Sequence, residues 1–273
     1  MRRSAPGLAA SPGRGLLRRP DVRLRAAWRL WQRNAAIYRR TWMVNILPNF
    51  FEPFLYLVAM GLGLGIYLRE IDGVPYLAFI APGLVAVAAM NGASFEVTYN
   101  CFVKMHFGRV YDAVLATPLS VGDIGLGELL WATSRSLIYG VVFLGIAAVF
   151  GVVHTPLVLL APAAIALIGL HFAVVGLAFS AAIPLIDYFT YYWTIFLTPM
   201  FLFAGVFFPL DRLPPWVGVA AWCMPLHQAV TLMRALMLTG DAGQAAAAAA
   251  WLAVVTAVLF PLPLALLRRR LVR

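Results

Sequence analysis

Charged side chains set in apolar sequence are the residues of this chain best placed to do chemistry. Glu52, Glu96 and Arg135 fall within or at the ends of long hydrophobic runs, and Glu128 and Asp187 sit at their boundaries. A bare charge at a bilayer centre costs roughly 2.5–3.5 kcal/mol on insertion scales, so partners are expected. We read Glu52, Glu96, Arg135 and Asp187 as an intramembrane charge network in which Arg135 pairs with Glu52 or Glu96. Such a pair is either a static lock between helices or a proton relay. With one basic residue on hand, the lock is the simpler reading.

Other chemistries find less support. Four histidines, His106, His154, His171 and His227, invite haem, but bis-histidine ligation needs two of them at one depth. Only His171 lies near the middle of an apolar run, which suits a hydrogen bond between helices. No G-x-x-x-x-G-K-[ST] occurs, and Gly61, Gly63 and Gly65 follow no strand, so no nucleotide loop is read there. H-E-x-x-H and C-x-x-C do not occur either. A membrane enzyme would need a catalytic cluster at one depth, which is not visible. The chain is expected to be no enzyme and to hold no cofactor, with any ATP and Mg bound by a partner.

The elements that position these residues follow from hydropathy. Of 273 residues, 63% are hydrophobic, against roughly 45–50% in soluble domains. A bilayer core about 30 Å thick needs roughly 20 apolar residues per helix. Such runs occur at 43–67, 75–98, 128–153, 157–183, 188–208 and 245–267, and none shows the alternation of a barrel strand. The expected fold is an all-α membrane protein with six transmembrane helices over 43–267. Glu52 and Arg135 would then both lie roughly 10–14 Å from the inner edge.

Charge sets the orientation. A net charge of +10 would suit nucleic acid, yet fifteen of the 21 Lys/Arg residues lie in the first 42 and last six positions. The loops 68–74, 154–156 and 209–244 carry only Arg69, Arg212 and Arg234. By the positive-inside bias both termini are cytosolic, in a multi-pass inner-membrane protein with no nucleic-acid partner. Cys101 and Cys223 then fall on opposite sides and cannot pair. No cleavable signal is visible at the N-terminus.

Residues 1–20 read as a disordered basic tail, and 268–273 as a basic cytosolic end. Over 21–42, Leu24, Trp28, Trp31, Ala35, Tyr38 and Trp42 make one helical stripe and Arg25, Arg29 and Arg33 another. Aromatics opposite arginines describe an interface helix on membrane lipids. The loop 99–127 holds a helix-compatible run at 108–117, a break at Pro118, and Asp123 leading into the next span. At that length it suits docking on a cytosolic partner. Residues 216–238 contain Pro225, His227, Gln228 and Arg234, so two short helices dipping into the outer leaflet are preferred to a seventh span. Tyr188, Tyr191, Tyr192 and Trp193 crowd one end of the fifth run, as interfacial anchors or as the wall of a substrate path.

Several stretches together resemble permease subunits of type-2 ABC exporters, and among them the nodulation protein J group of lipooligosaccharide exporters. They are Glu52-Pro53-Phe54-Leu55-Tyr56-Leu57 with GLGLG at 61–65, SFEVTY at 94–99, and YDAVLATPLSVGDIGLGE at 111–128. DYFTYYWTIFLTPMFLFAGVFFPLDRLPPW at 187–216, PLHQAVTLMRALMLTG at 225–240 and the terminal LLRRRLVR continue the likeness. The resemblance implies a homodimer bound to two cytosolic ATPase subunits. It makes 99–127 the coupling loop, with Tyr111, Asp112, Pro118 and Asp123 against the ATPase. It makes 209–244 a re-entrant external segment marked by Pro209, Asp211, Pro214, Pro215 and His227. The implied cargo is a lipooligosaccharide or related glycolipid such as a lipo-chitooligosaccharide. A multidrug or polyketide efflux permease is the alternative with the same architecture.

Overall fold

The computed structural model describes residues 22–272, apart from 64, 66, 69 and 72. The basic tail at 1–20 lies outside the described residues, as does the side chain of Glu52. Almost everything described is helix. In chain order the α-helices are α1 (Leu24–Val58), α2 (Tyr76–Phe95), α3 (Cys101–His106), α4 (Val110–Leu115), α5 (Val121–Val149) and α6 (Ala161–Ala182). They continue as α7 (Phe189–Tyr191), α8 (Thr198–Phe203), α9 (Pro215–Trp222), α10 (Pro225–Arg234), α11 (Ala242–Leu259) and α12 (Pro261–Leu271). A two-stranded hairpin, β1 (Glu70–Ile71) and β2 (Val74–Pro75), turns at Gly73 with φ 78°.

Four continuous helical runs among the described residues are long and apolar enough to cross a membrane: Tyr76–His106, Val121–Val149, Pro156–Ala182 and Ala242–Leu271. The first is nearly all buried, the state of a helix that is apolar on every face. It forms the axis, with α1, α5 and α6 packed around it and α10 at one end. Two expected spans look different. The apolar part of α1 continues without a break from residues 24–42, so no boundary separates an interface helix from a span. Its buried stripe is Ala27, Leu30 and Asn34, one position off the aromatic stripe, with Trp28 and Trp42 exposed. The run at 188–208 forms only short helices, α7 and α8, joined by a π-helical stretch over Tyr192–Leu197.

The connector is also shorter than 99–127. α2 passes through a π-helical stretch, Glu96–Asn100, straight into α3, because side chains from α5 satisfy the polar groups that read as loop. α5 starts at Val121, where Ser120 and Asp123 form a reciprocal capping box: Ser120 Oγ accepts from the Asp123 N–H at 3.1 Å, and Asp123 Oδ2 from the Ser120 N–H at 2.9 Å. Residues 107–120 are what remains between them, with α4 at their centre.

Candidate functional site: a buried ionic cluster, its connector and a neighbouring pocket

One end of the bundle gathers the starts of α1 and α5 and the ends of α3, α6 and α12. Arg23 donates its backbone N–H to Asp123 Oδ1 at 2.6 Å and its guanidinium to the Pro118 carbonyl, tying α1 to α5. Arg270 lies across the end of α6. It donates to the carbonyls of Ser180 and Ala181, both at 3.1 Å, to that of Ile183, and to His106 Nε2 at 2.7 Å. A cation on the orphan carbonyls of a helix C-terminus is favoured by the helix dipole. This arginine is thus a structural clasp as well as part of the basic terminus. We expect Arg270→Ala to cost about 2 kcal/mol in thermal unfolding, and Arg270→Lys to recover only part, since an ammonium cannot fork over several carbonyls.

Beneath this end lies the ionic cluster. Arg135 Nη1 is 3.4 Å from Glu96 Oε2, and both side chains are buried. Lys104 Nζ bridges Glu96 Oε1 at 3.0 Å and Glu128 Oε2 at 2.8 Å. Asn100 donates to Glu96 at 2.7 Å and Asn34 to Glu128 at 3.2 Å, bringing α1 into the cluster. The Arg135 guanidinium donates to the Tyr139 hydroxyl and stacks over Tyr38, 4.6 Å from the ring centre. Two carboxylates thus face two cations, a balance that lets charge persist where water is scarce.

Of the four residues expected in the charge network, Glu96 and Arg135 meet. Asp187 does not join them: it is exposed in the turn before α7, away from the cluster. Lys104 and Asn34 were not foreseen, and Glu128, read as a charge at a span boundary, was not assigned to the network. Lys104 sits just past the end of an apolar run, in the stretch 99–127 that reads as connector. Its spacing from Glu96, eight positions along one helix, was the signal available.

The connector residues divide by burial. Asp112 and Pro118 are exposed, beside Phe107 at 70% exposure and Arg109, whose φ of 44° is left-handed. Asp123 is 0% exposed and engaged in its cap, and Tyr111 is 1% exposed, so neither presents its side chain to a partner. Burial, with Cys101 and Glu128 beside it, pushes the Tyr111 phenol well above its usual range. The expected docking role of these two residues becomes a structural one: Tyr111 seats the connector on the cluster, and Asp123 caps the helix that carries Glu128.

At the other end, Pro209 precedes a 3-10 turn holding exposed Asp211, and Pro214 and Pro215 start α9. Pro225 starts α10, which follows α9 after a break at Cys223 and Met224. Prolines suit first helical positions, where no N–H is needed. His227 Nδ1 donates to the Ala204 carbonyl at 3.0 Å, pinning α10 to the bend after α8. His171, the buried mid-helix histidine, contacts Thr256 Oγ1 at 2.9 Å and so links α6 to α11.

A pocket of about 190 Å³ lies between α1, α2 and the 189–203 segment. Tyr56, Leu84, Asn91, Trp193, Thr198 and Phe201 are among its lining residues. Of the four expected path aromatics, only Trp193 lines it. Tyr188 and Tyr191 are exposed, and Tyr192 is buried with its hydroxyl 3.2 Å from Ser94 Oγ.

Comparison with known proteins identifies the bundle. The sequence profile of the family described as ABC-2 type transporter matches residues 25–238. The chain belongs to the ABC-2 type transporter family. It is similar to nodulation protein J of Sinorhizobium fredii, 38% identical over 242 residues covering 89% of this chain and 92% of the relative. Nodulation protein J of Rhizobium leguminosarum bv. viciae is 37% identical over 244 residues, 89% of this chain and 94% of the relative. The inner membrane transport permease YadH of Escherichia coli is 24% identical over 192 residues, 70% of this chain and 75% of the relative. This ABC-2 protein is therefore a multi-pass membrane permease, the transport subunit of an ABC transporter of the nodulation protein J type.

Proposed function

We propose that this permease moves a lipooligosaccharide or related glycolipid out of the cytoplasm, driven by a separate ATPase that binds the ATP and Mg. The observation carrying this reading is the 38% identity to a nodulation protein J across nine-tenths of both chains. In this reading six segments cross the inner membrane: the second half of α1, the four long apolar helices, and the helical segment 189–203 with its π-helical middle. The first half of α1 rests on the inner leaflet. α9 and α10 form the external re-entrant cap, and a second copy completes the translocation path.

Exposed Phe107, Arg109, Asp112 and Pro118 form the face that the ATPase grips. ATPase closure moves α4, and the cluster under Tyr111 passes that motion to α1, α2 and α5 together, a gating step of the kind that sets many turnover rates. The shared end of α1, α12 and the connector supports a common cytosolic side for both termini.

The test is reconstitution of both subunits in liposomes. Added lipooligosaccharide should stimulate ATP hydrolysis several-fold, and Asp112→Arg should strip most of the co-purifying ATPase. Hydrolysis indifferent to glycolipid, with an intact Asp112→Arg complex, would remove both the cargo and the docking claims. Stimulation by amphipathic drugs alone would instead favour the efflux reading.

A further inference from the structure

The pocket between α1, α2 and α8 contains an amide that the fold leaves unsatisfied. Asn91 lies about 22 Å along its helix from Tyr76, at 1.5 Å per residue, well inside the apolar run. Its half-buried side chain makes no hydrogen bond to another described residue. Asparagine within a membrane bundle normally bonds across to another helix. Asn91 instead lines the pocket, where the Tyr56 hydroxyl likewise bonds no described residue. The Thr198 hydroxyl is already engaged, donating to the Trp193 carbonyl at 2.9 Å.

The rest of the lining narrows the occupant. Tyr56, Trp193 and Phe201 supply aromatic surface, and none of the lining residues is charged. An anionic headgroup would find no cation here. An acyl chain would leave the amide as unsatisfied as it is without one. A neutral sugar ring meets both features: its hydroxyl or acetamido groups can exchange hydrogen bonds with Asn91 and Tyr56, and its C–H face can lie on an aromatic ring. About 190 Å³ is below the roughly 300 Å³ at which sites for drug-sized ligands begin, so it suits one ring and not a whole glycolipid.

We propose that this pocket is a subsite for one neutral sugar ring of the cargo, with Asn91 as its hydrogen-bonding anchor. The proposal rests on the glycolipid reading above and adds which part of the cargo is recognised, and by which residue. Asn91 acts in specificity and has no part in the ionic cluster, five positions further along the same helical run.

The test uses the full-length permease in phosphatidylethanolamine/phosphatidylglycerol nanodiscs. The probe is a neutral N-acetylglucosamine tetramer without an acyl chain, followed by saturation-transfer NMR. Wild type should bind it. Asn91→Leu should weaken the Kd about tenfold, the loss of one well-made hydrogen bond, while Asn91→Gln stays within about threefold. Phe201→Leu, which keeps the pocket apolar but removes a ring face, should weaken it by a smaller factor. Palmitate should not displace the tetramer. Binding unchanged in Asn91→Leu, displacement by palmitate, or no binding to wild type would overturn the subsite.

Liposome transport with the ATPase separates this from the broader reading. Tetramer binding that depends on Asn91, without glycolipid transport, would keep the subsite and sink the export claim. Glycolipid transport equal in wild type and Asn91→Leu would do the reverse.

Discussion

Lys104→Met is expected to destabilise the permease by about 3–5 kcal/mol, lowering its melting temperature in detergent by on the order of 10 °C. The substitution keeps most of the side-chain volume and removes only the ammonium. That ammonium lies 3.0 Å from Glu96 and 2.8 Å from Glu128, both buried. Without it, two carboxylates share one remaining cation, Arg135, which reaches only Glu96. Glu128 would keep the Asn34 amide and the weak Cys101 thiol donor, too little for a buried charge. The double variant Lys104→Met/Glu128→Gln removes one charge of each sign and should recover at least half of the loss. Additivity of the two single variants within about 0.5 kcal/mol would show that the pair is not coupled.

Gly169→Val is expected to cost about 3 kcal/mol and to lower the yield of folded protein, by a steric route with no charge involved. A Cβ at Gly169 would stand 2.3 Å from both Cβ and Oγ of Ser136. The Cβ of Ser136 belongs to the rigid base of its side chain, so no rotamer change relieves the overlap. α5 and α6 would have to separate, breaking the Ser136 hydroxyl bond to the Ile165 carbonyl at 3.3 Å. In a bilayer such close approach is itself a main source of helix association. Ser136→Gly should therefore rescue Gly169→Ala but only partly rescue Gly169→Val. Equal melting temperatures for Gly169→Ala and wild type would contradict the packing argument.

The two sites differ in how far the sequence announced them. Gly169 and Ala173 mark a small-residue face at a spacing of four, and that face is where α6 meets α5. Arg135 was legible as an intramembrane charge in need of a carboxylate. Lys104 was hidden because it falls just past the end of an apolar run, at 98, in a stretch that reads as connector when taken locally. Its charge is neutralised by Glu96, eight positions back on the same helical run, and by Glu128, which only the packing of α5 brings near. The pocket was hidden for a related reason. Trp193 announces itself by type, but Asn91 is one polar residue in an apolar run, and only the positions of Tyr56 and Phe201 around it make it a candidate site.

What the sequence determined by itself was the class of molecule and its punctuation: apolar helical runs, a basic terminus at each end, two short helices parted at Pro225, and a connector led into α5 by Asp123. These follow from local physics, namely hydropathy, missing N–H groups and capping side chains, which need no distant partner. Only the tertiary structure decided which charges meet, that Tyr111 and Asp123 face inward, and that Arg270 clasps the end of α6. Those outcomes depend on which helices lie side by side and at what depth. Burial and pairing are properties of neighbours, and a linear pattern does not say who the neighbours are.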